Sequence, residues 1–165
     1  MPTTIGRLAV RRSIEINAPP ERIWREFEST ERMRQWYTPA GGVDMPCKQI
    51  AYEPRAGGIF ETRGIHPASE GDVHFHFTGR VLVFDPPREL TMEMNAAHEE
   101  WPSGTLLTFL LTPMDGGRTR VELFHHAFEG FGDQADDIYR AFEGGWTTLQ
   151  LECIKNLVEH GKAAA

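Results

Sequence analysis

Cysteine is scarce: only Cys47 and Cys153 occur in 165 residues. Two widely separated thiols do not make a disulfide scaffold, and both are expected to be unpaired in a reducing compartment. Long apolar runs are missing as well. No stretch approaches the roughly twenty residues that span a bilayer. Met1-Pro2-Thr3-Thr4 lacks the charged-then-apolar pattern of a secretory leader, and Arg11 and Arg12 interrupt the one mildly apolar run nearby. Basic charge is in deficit, with 17 Lys and Arg against 24 Asp and Glu and a formal charge of −7. That balance opposes a surface for nucleic acid and docking on an anionic membrane. The expectation is a cytoplasmic protein with neither kind of partner.

Catalytic signatures are also missing. There is no Gly-rich phosphate cradle, no Gly-x-Ser-x-Gly elbow, no Cys-x-x-Cys and no His-Glu-x-x-His. No cofactor is called for, and no recognisable catalytic set argues for an enzyme. Internal repeats and low-complexity tracts are absent. What remains is ordinary globular composition, 40% apolar and 25% charged, in a length that suits a single domain over residues 1–165 with an ordered core from about 8 to 160.

The order of elements is more telling. Val10, Arg12, Ile14 and Ile16 alternate with Arg11, Ser13 and Glu15, predicting a strand over Leu8–Ile16. Pro19-Pro20-Glu21 then suits a first helical turn, because proline has no N–H to leave unpaired there and Glu21 complements the dipole. Ile23, Trp24 and Phe27 supply that helix's apolar face. A second short helix is expected around Met33–Tyr37, ending at Thr38-Pro39 and Ala40-Gly41-Gly42. Strands follow at Lys48–Glu53, Gly58–Gly64, Val73–Phe84, Glu89–Asn95, Thr105–Thr112 and Thr119–His126. Pro54–Gly57 and Met114–Gly117 read as hairpin links, Asp85–Arg88 as a rigid turn, and 66–72 and 96–104 as loops. Sequential strands on short links predict an antiparallel meander.

One long helix is expected from Asp133 to about His160. Ile138, Phe142, Trp146, Leu149, Cys153 and Leu157 form its stripe, with Leu151, Ile154 and Val158 away from it. Gly144 and Gly145 inside that helix cost about 1 kcal/mol each, to be offset by close approach to the sheet or a slight bend. Asp133, Asp136 and Asp137 match the dipole at its start. The fold class is therefore α+β: a curved antiparallel sheet wrapped around a long C-terminal helix, with two short helices after the first strand.

Four stretches carry a family likeness: Ile16–Trp24, Gly79–Leu90, Gly117–Leu123 leading to His125 and Phe128, and Gly144-Gly145-Trp146 with Leu149. In their order and spacing the chain resembles the START/birch-pollen-allergen-like (SRPBCC) superfamily, with its helix-grip fold and polyketide cyclase relatives. Within it, the chain is most similar to bacterial homologues of the heat-shock-protein ATPase activator. The resemblance spans roughly Arg11 to His160. It implies a cavity between the sheet and the closing helix. Around that cavity the fold would bring Trp36, Phe60, Phe77, Met92 and Met94, together with Trp101, Phe109, His125, Phe142 and Trp146. Plain core packing is the competing reading for most of these.

Among the histidines, His74 and His76 share one strand face and could hold a metal only with a third ligand. A solvated outer face, with Phe75 and Phe77 inward, explains them without a metal, and no metal site is assigned. His125 shares a face with Val121 and Leu123, so it is the catalytic candidate, as a pocket-lining acid or base. The alternative is a core-edge histidine bonded to a backbone carbonyl. His126 is expected to point the other way into solvent. Cys153 reads as a small buried hydrophobe. Glu99 and Glu100 beside Trp101 lie on a loop that could gate a pocket or be merely solvated. Three functions follow: binding of a hydrophobic small molecule or lipid, a cyclase or hydrolase using the same cavity, and modulation of a chaperone ATPase. An exposed edge strand could support a homodimer.

Overall fold

The computed structural model describes residues 3–37, 47–66, 71 and 73–162. The expected stop at Thr38–Gly42, most of the 66–72 loop, the end of the tail and the side chain of Cys47 lie outside them. Strand β1 (Val10–Ile16) alternates buried and exposed positions as its sequence requires. Ala18 then turns back onto Ile16 O at 2.9 Å, and helix α1 (Pro20–Trp24) opens with Pro20 in its first turn. A 3₁₀ turn (Arg25–Phe27) and helix α2 (Thr30–Tyr37) follow. Helix α2 begins three residues before the expected Met33, because Ser29 Oγ accepts the Arg32 N–H at 3.1 Å and starts the turn earlier.

Six further strands form the meander: β2 (Cys47–Tyr52), β3 (Ile59–His66), β4 (Val73–Asp85), β5 (Glu89–Ala96), β6 (Thr105–Pro113) and β7 (Thr119–His126). With β1 they make one curved antiparallel sheet in the order β1-β7-β6-β5-β4-β3-β2. The edge strands are thus β1 and β2. The long strand β4 is irregular where its register with β5 shifts between Val81 and Val83, a device that bends a strand. Two residues earlier Gly79 permits the close approach this needs, since a Cβ there would lie 1.7 Å from Glu93 O.

The C-terminal part differs from the single helix expected. A 3₁₀ segment (Phe128–Gln134) leads into helix α3 (Ala135–Gly145). After an extended Trp146 (φ −82°, ψ 134°), helix α4 (Leu149–His160) begins. Gly144-Gly145-Trp146 therefore sits at the end of a helix, not inside one. The glycines do not approach the sheet: nothing lies within 4 Å of where their Cβ atoms would be. The break also resets the helical phase. Leu151, Ile154 and Val158, expected beside the stripe, are buried, whereas Ile138, Phe142, Trp146 and Leu149 are only partly so. Gly161 ends α4 at φ 77°, its N–H on Leu157 O at 3.0 Å.

The core lies between the inner sheet face and these helices. Trp24, Phe27, Trp36 and Phe109 form its aromatic heart, Phe27 standing 5.2 Å from Trp36 and 5.3 Å from Phe109. Each such side chain contributes about 1.5–3 kcal/mol by leaving water. No helix among the described residues is long and apolar enough to cross a membrane.

Candidate functional site

Strand β7 carries His125 into the interior, where it is completely buried. Its neighbours across the sheet are Val10 and Leu107. The rings of Phe128 and Phe142 stand 4.8 and 4.4 Å away. Phe128 reaches it because Ala127 takes a left-handed conformation, φ 66° and ψ 42°, that folds the chain sharply back at the end of β7. For a residue with a Cβ that turn costs roughly 1–2 kcal/mol.

Both imidazole nitrogens are engaged. Trp146 Nε1–H donates to Nδ1 at 3.0 Å. An indole only donates, so Nδ1 carries no proton and Nε2 does. Nε2–H donates in turn to Thr105 Oγ1 at 2.7 Å, and that hydroxyl turns to Met94 O at 3.5 Å. The partners are thus side chains, not the backbone carbonyl of the alternative reading. Burial, aided by the neighbouring His126, pushes the His125 pKa down to about 3. The ring is neutral at pH 7: it accepts at Nδ1 and donates at Nε2. Acting as a general acid would require a proton that burial opposes.

Trp146 is held from its other side by Arg12, a residue whose role the sequence reading missed. Arg12 lies on the inner face of β1, and its Nη2 donates to Glu143 O and Trp146 O, both at 3.0 Å. It satisfies carbonyls that the end of α3 leaves open, with Glu143 Oε1 3.4 Å from Nη1. Helix α4 restarts after Thr148, its N-cap, and the Thr147 hydroxyl just before it accepts the Leu149 N–H at 3.1 Å. Gly144-Gly145, then Thr147-Thr148 beyond Trp146, are a stop signal and a start signal, and they were readable.

The ten residues expected around one cavity divide into two packed groups. Trp36, Phe60 and Phe109 gather with Tyr37: Trp36 stands 5.3 Å from Phe109, and Tyr37 5.6 Å from Phe60. Phe77, Trp101, Phe142, His125 and Trp146 form the second group, in which Trp101 lies 5.6 Å from Phe77 and 6.0 Å from Phe142. Met92 and Met94, both buried, belong to the same core. The members of each group touch one another. Two surface depressions of about 400 and 420 Å³ lie elsewhere, one lined by Arg34, Gln49 and Arg63, the other by Asn17, Arg22 and His160. The Trp101 loop is exposed at Glu99 and Glu100, and Trp101 Nε1 donates to Glu99 Oε1 at 2.8 Å.

His126 corrects an expectation. It is 1% exposed, not solvated, because residues 3–9 cross the outer face of the sheet. Its Nε2 lies 2.8 Å from Thr108 Oγ1. Thr108 meets Thr91 Oγ1 at 2.9 Å, and Thr91 donates to Glu89 Oε2 at 2.6 Å. Glu89 accepts the Thr3 N–H at 3.2 Å and the Thr3 hydroxyl. Burial lowers the His126 pKa, opposed by Glu129. On β4, His74 is exposed and His76 Nε2 pairs with Glu61 Oε1 at 2.8 Å. Phe75 and Phe77 are buried on the opposite face. Among the described residues, no three metal-ligating side chains converge. Cys153 is buried, its thiol pKa raised by burial.

A family model described as "Activator of Hsp90 ATPase homolog 1-like protein" matches residues 17–159. Among solved structures, a protein from Mesorhizobium loti is 22% identical, with 92% of this chain and 96% of that one covered and a TM-score of 0.64. A protein from Arthrobacter aurescens is 18% identical over 98% and 94% of the two chains, with a TM-score of 0.68. The Aha1 dimer from Colwellia psychrerythraea is 17% identical over 93% and 98%, with a TM-score of 0.60. At these identities the likeness shows the fold alone. No curated protein matches the sequence.

Proposed function

Because the chain belongs to the family of Activator of Hsp90 ATPase homolog 1-like proteins, we propose that it is a START-like binding module. Its ligand is an apolar small molecule or lipid, taken up between the sheet and the closing helices. The observation that carries this reading is the second aromatic group. Trp101, Phe142 and Trp146 are only partly buried, and Phe142 and Trp146, at the end of α3, flank the buried His125. Apolar walls with few polar groups suit a small ligand. Since these side chains touch one another, uptake requires the Trp146 indole to swing outward from the extended link beside the unpacked Gly144-Gly145.

The reading is tested by native mass spectrometry of protein purified without detergent, and by thermal shift with fatty alcohols, sterols and aromatic polyketides. A co-purifying adduct, or a rise in melting temperature that Trp146→Ala alters, is the expected result. A bare mass together with an unmoved melting temperature across the whole set would sink it.

The family description favours a second reading, modulation of a chaperone ATPase. It predicts that the protein changes the turnover of the bacterial heat-shock ATPase when added in excess and co-elutes with it. An unchanged rate with no co-elution removes it.

A further inference from the structure

The hydrogen bonds around Trp146 restrict the chemistry of the ligand. If a ligand enters where α3 and α4 part, it must displace either Trp146 or His125. His125 sits within β7, bracketed by β1 and β6 and fully buried. Trp146 stands in the extended link after α3, next to two exposed glycines with open space around them. Trp146 is therefore the group that can leave. Its departure frees one polar position, the lone pair of His125 Nδ1. The other nearby polar groups are already occupied: His125 Nε2–H by Thr105, and Arg12 Nη2 by the carbonyls of Glu143 and Trp146.

An unmet acceptor in an apolar site needs a donor. We propose that the ligand is an uncharged apolar molecule bearing a hydroxyl, a phenol or an alcohol, whose O–H takes the place of the Trp146 indole N–H on His125 Nδ1. This rests on the binding-module reading above and adds the ligand's polar end to it. A carboxylate would set its lone pairs against that of Nδ1 and would need a charged imidazole between Phe128 and Phe142. Burial keeps that imidazole neutral. An ether of the same shape has no hydrogen to give.

The test uses three matched probes on the intact protein: a hexylphenol, its methyl ether and the corresponding hexylbenzoate. Affinities are measured by titration calorimetry for the wild type and for Trp146→Phe. The phenol is expected to bind about tenfold or more tighter than either of the others, the worth of one well-placed hydrogen bond. Trp146→Phe, which removes the competing N–H, should bind the phenol more tightly still. The ¹⁵N shifts of His125 in the wild type provide a readout independent of any variant. With phenol bound, Nδ1 must remain an unprotonated acceptor. Equal affinity for phenol and ether, or tightest binding of the benzoate, overturns the assignment of the hydroxyl and leaves the binding module standing. Failure of all three probes to bind either protein overturns both.

Discussion

A histidine with no water around it resists protonation, and that ties the stability of this protein to pH. The His125 pKa falls from 6.5 to about 3 on folding. The unfolded chain therefore binds the extra proton between those values. The stability contributed by the neutral ring is complete above pH 6.5 and is lost as pH falls towards 3, by about 1.4 kcal/mol per pH unit. His126, also lowered by burial, acts in the same direction. His125→Asn should be less stable than wild type at pH 7, but with a shallower acid slope. Urea midpoints at pH 7 and pH 4.5 check this, and parallel slopes for the two proteins would refute it. Glu26 behaves in the opposite sense. Its carboxyl is buried, Oε2 has no partner among the described residues and Arg32 meets Oε1 at 3.3 Å, and burial raises its pKa. Folding favours the protonated form, and the charge becomes a growing liability as pH rises above about 4.5. Glu26→Gln should match or exceed wild-type stability at pH 7, with the advantage gone below pH 4. A clear loss of melting temperature at pH 7 would show that the Arg32 pair outweighs the buried charge.

At the scale of elements, the strands were legible because short runs rich in β-branched and aromatic residues are bounded by turn residues, and in Val10–Ile16 the alternation of buried and exposed positions is kept. The closing helix was not. A stripe at spacings of three and four can be drawn through Ile138, Trp146 and Leu157, and it ignores the three residues that leave the helix between α3 and α4. What decides the break is not periodicity but the partners of its ends: Arg12 on the carbonyls of Glu143 and Trp146, and Thr147 on the Leu149 N–H. The ends also indicate what the glycines do. Neither takes a positive φ, and a methyl group on either would meet nothing. Gly144→Ala and Gly145→Ala should each raise stability by about 0.5–1 kcal/mol, as an exposed helical glycine replaced by alanine does. If the glycines serve as the hinge for uptake, the double substitution should also slow ligand association while leaving the fold intact. Chemical denaturation and stopped-flow binding separate the two effects. A destabilised double variant would mean the glycine pair is required by the fold itself.

At the scale of the molecule, the sheet is covered on its inner face and, across β5, β6 and β7, on its outer face as well, and only the inner cover was readable. The amphipathic C-terminal segment announces itself, whereas nothing in residues 3–9 marks them as a strap. The outer cover shows only when register is known. Thr91, Thr108 and Phe124 line up across β5, β6 and β7 and are all buried, a row that would otherwise face water. At one end of the strap, Leu8 packs on Phe128, Phe131 and Ala135. Glu89 ties down the far end through Thr3. The same Phe128 lies against His125 from within, so the strap and the candidate site share a wall. Glu89→Ala should therefore release Thr3 and the far end of the strap, and it should do more than lower stability. By loosening the strap it should expose His126 while His125 stays protected by the helices. Modification by diethyl pyrocarbonate, mapped by mass spectrometry at a temperature where the variant is still folded, distinguishes the two histidines. Faster modification of His126 alone is the result the two-sided cover requires. Equal acceleration at His125 would mean that loosening the strap opens the core as a whole.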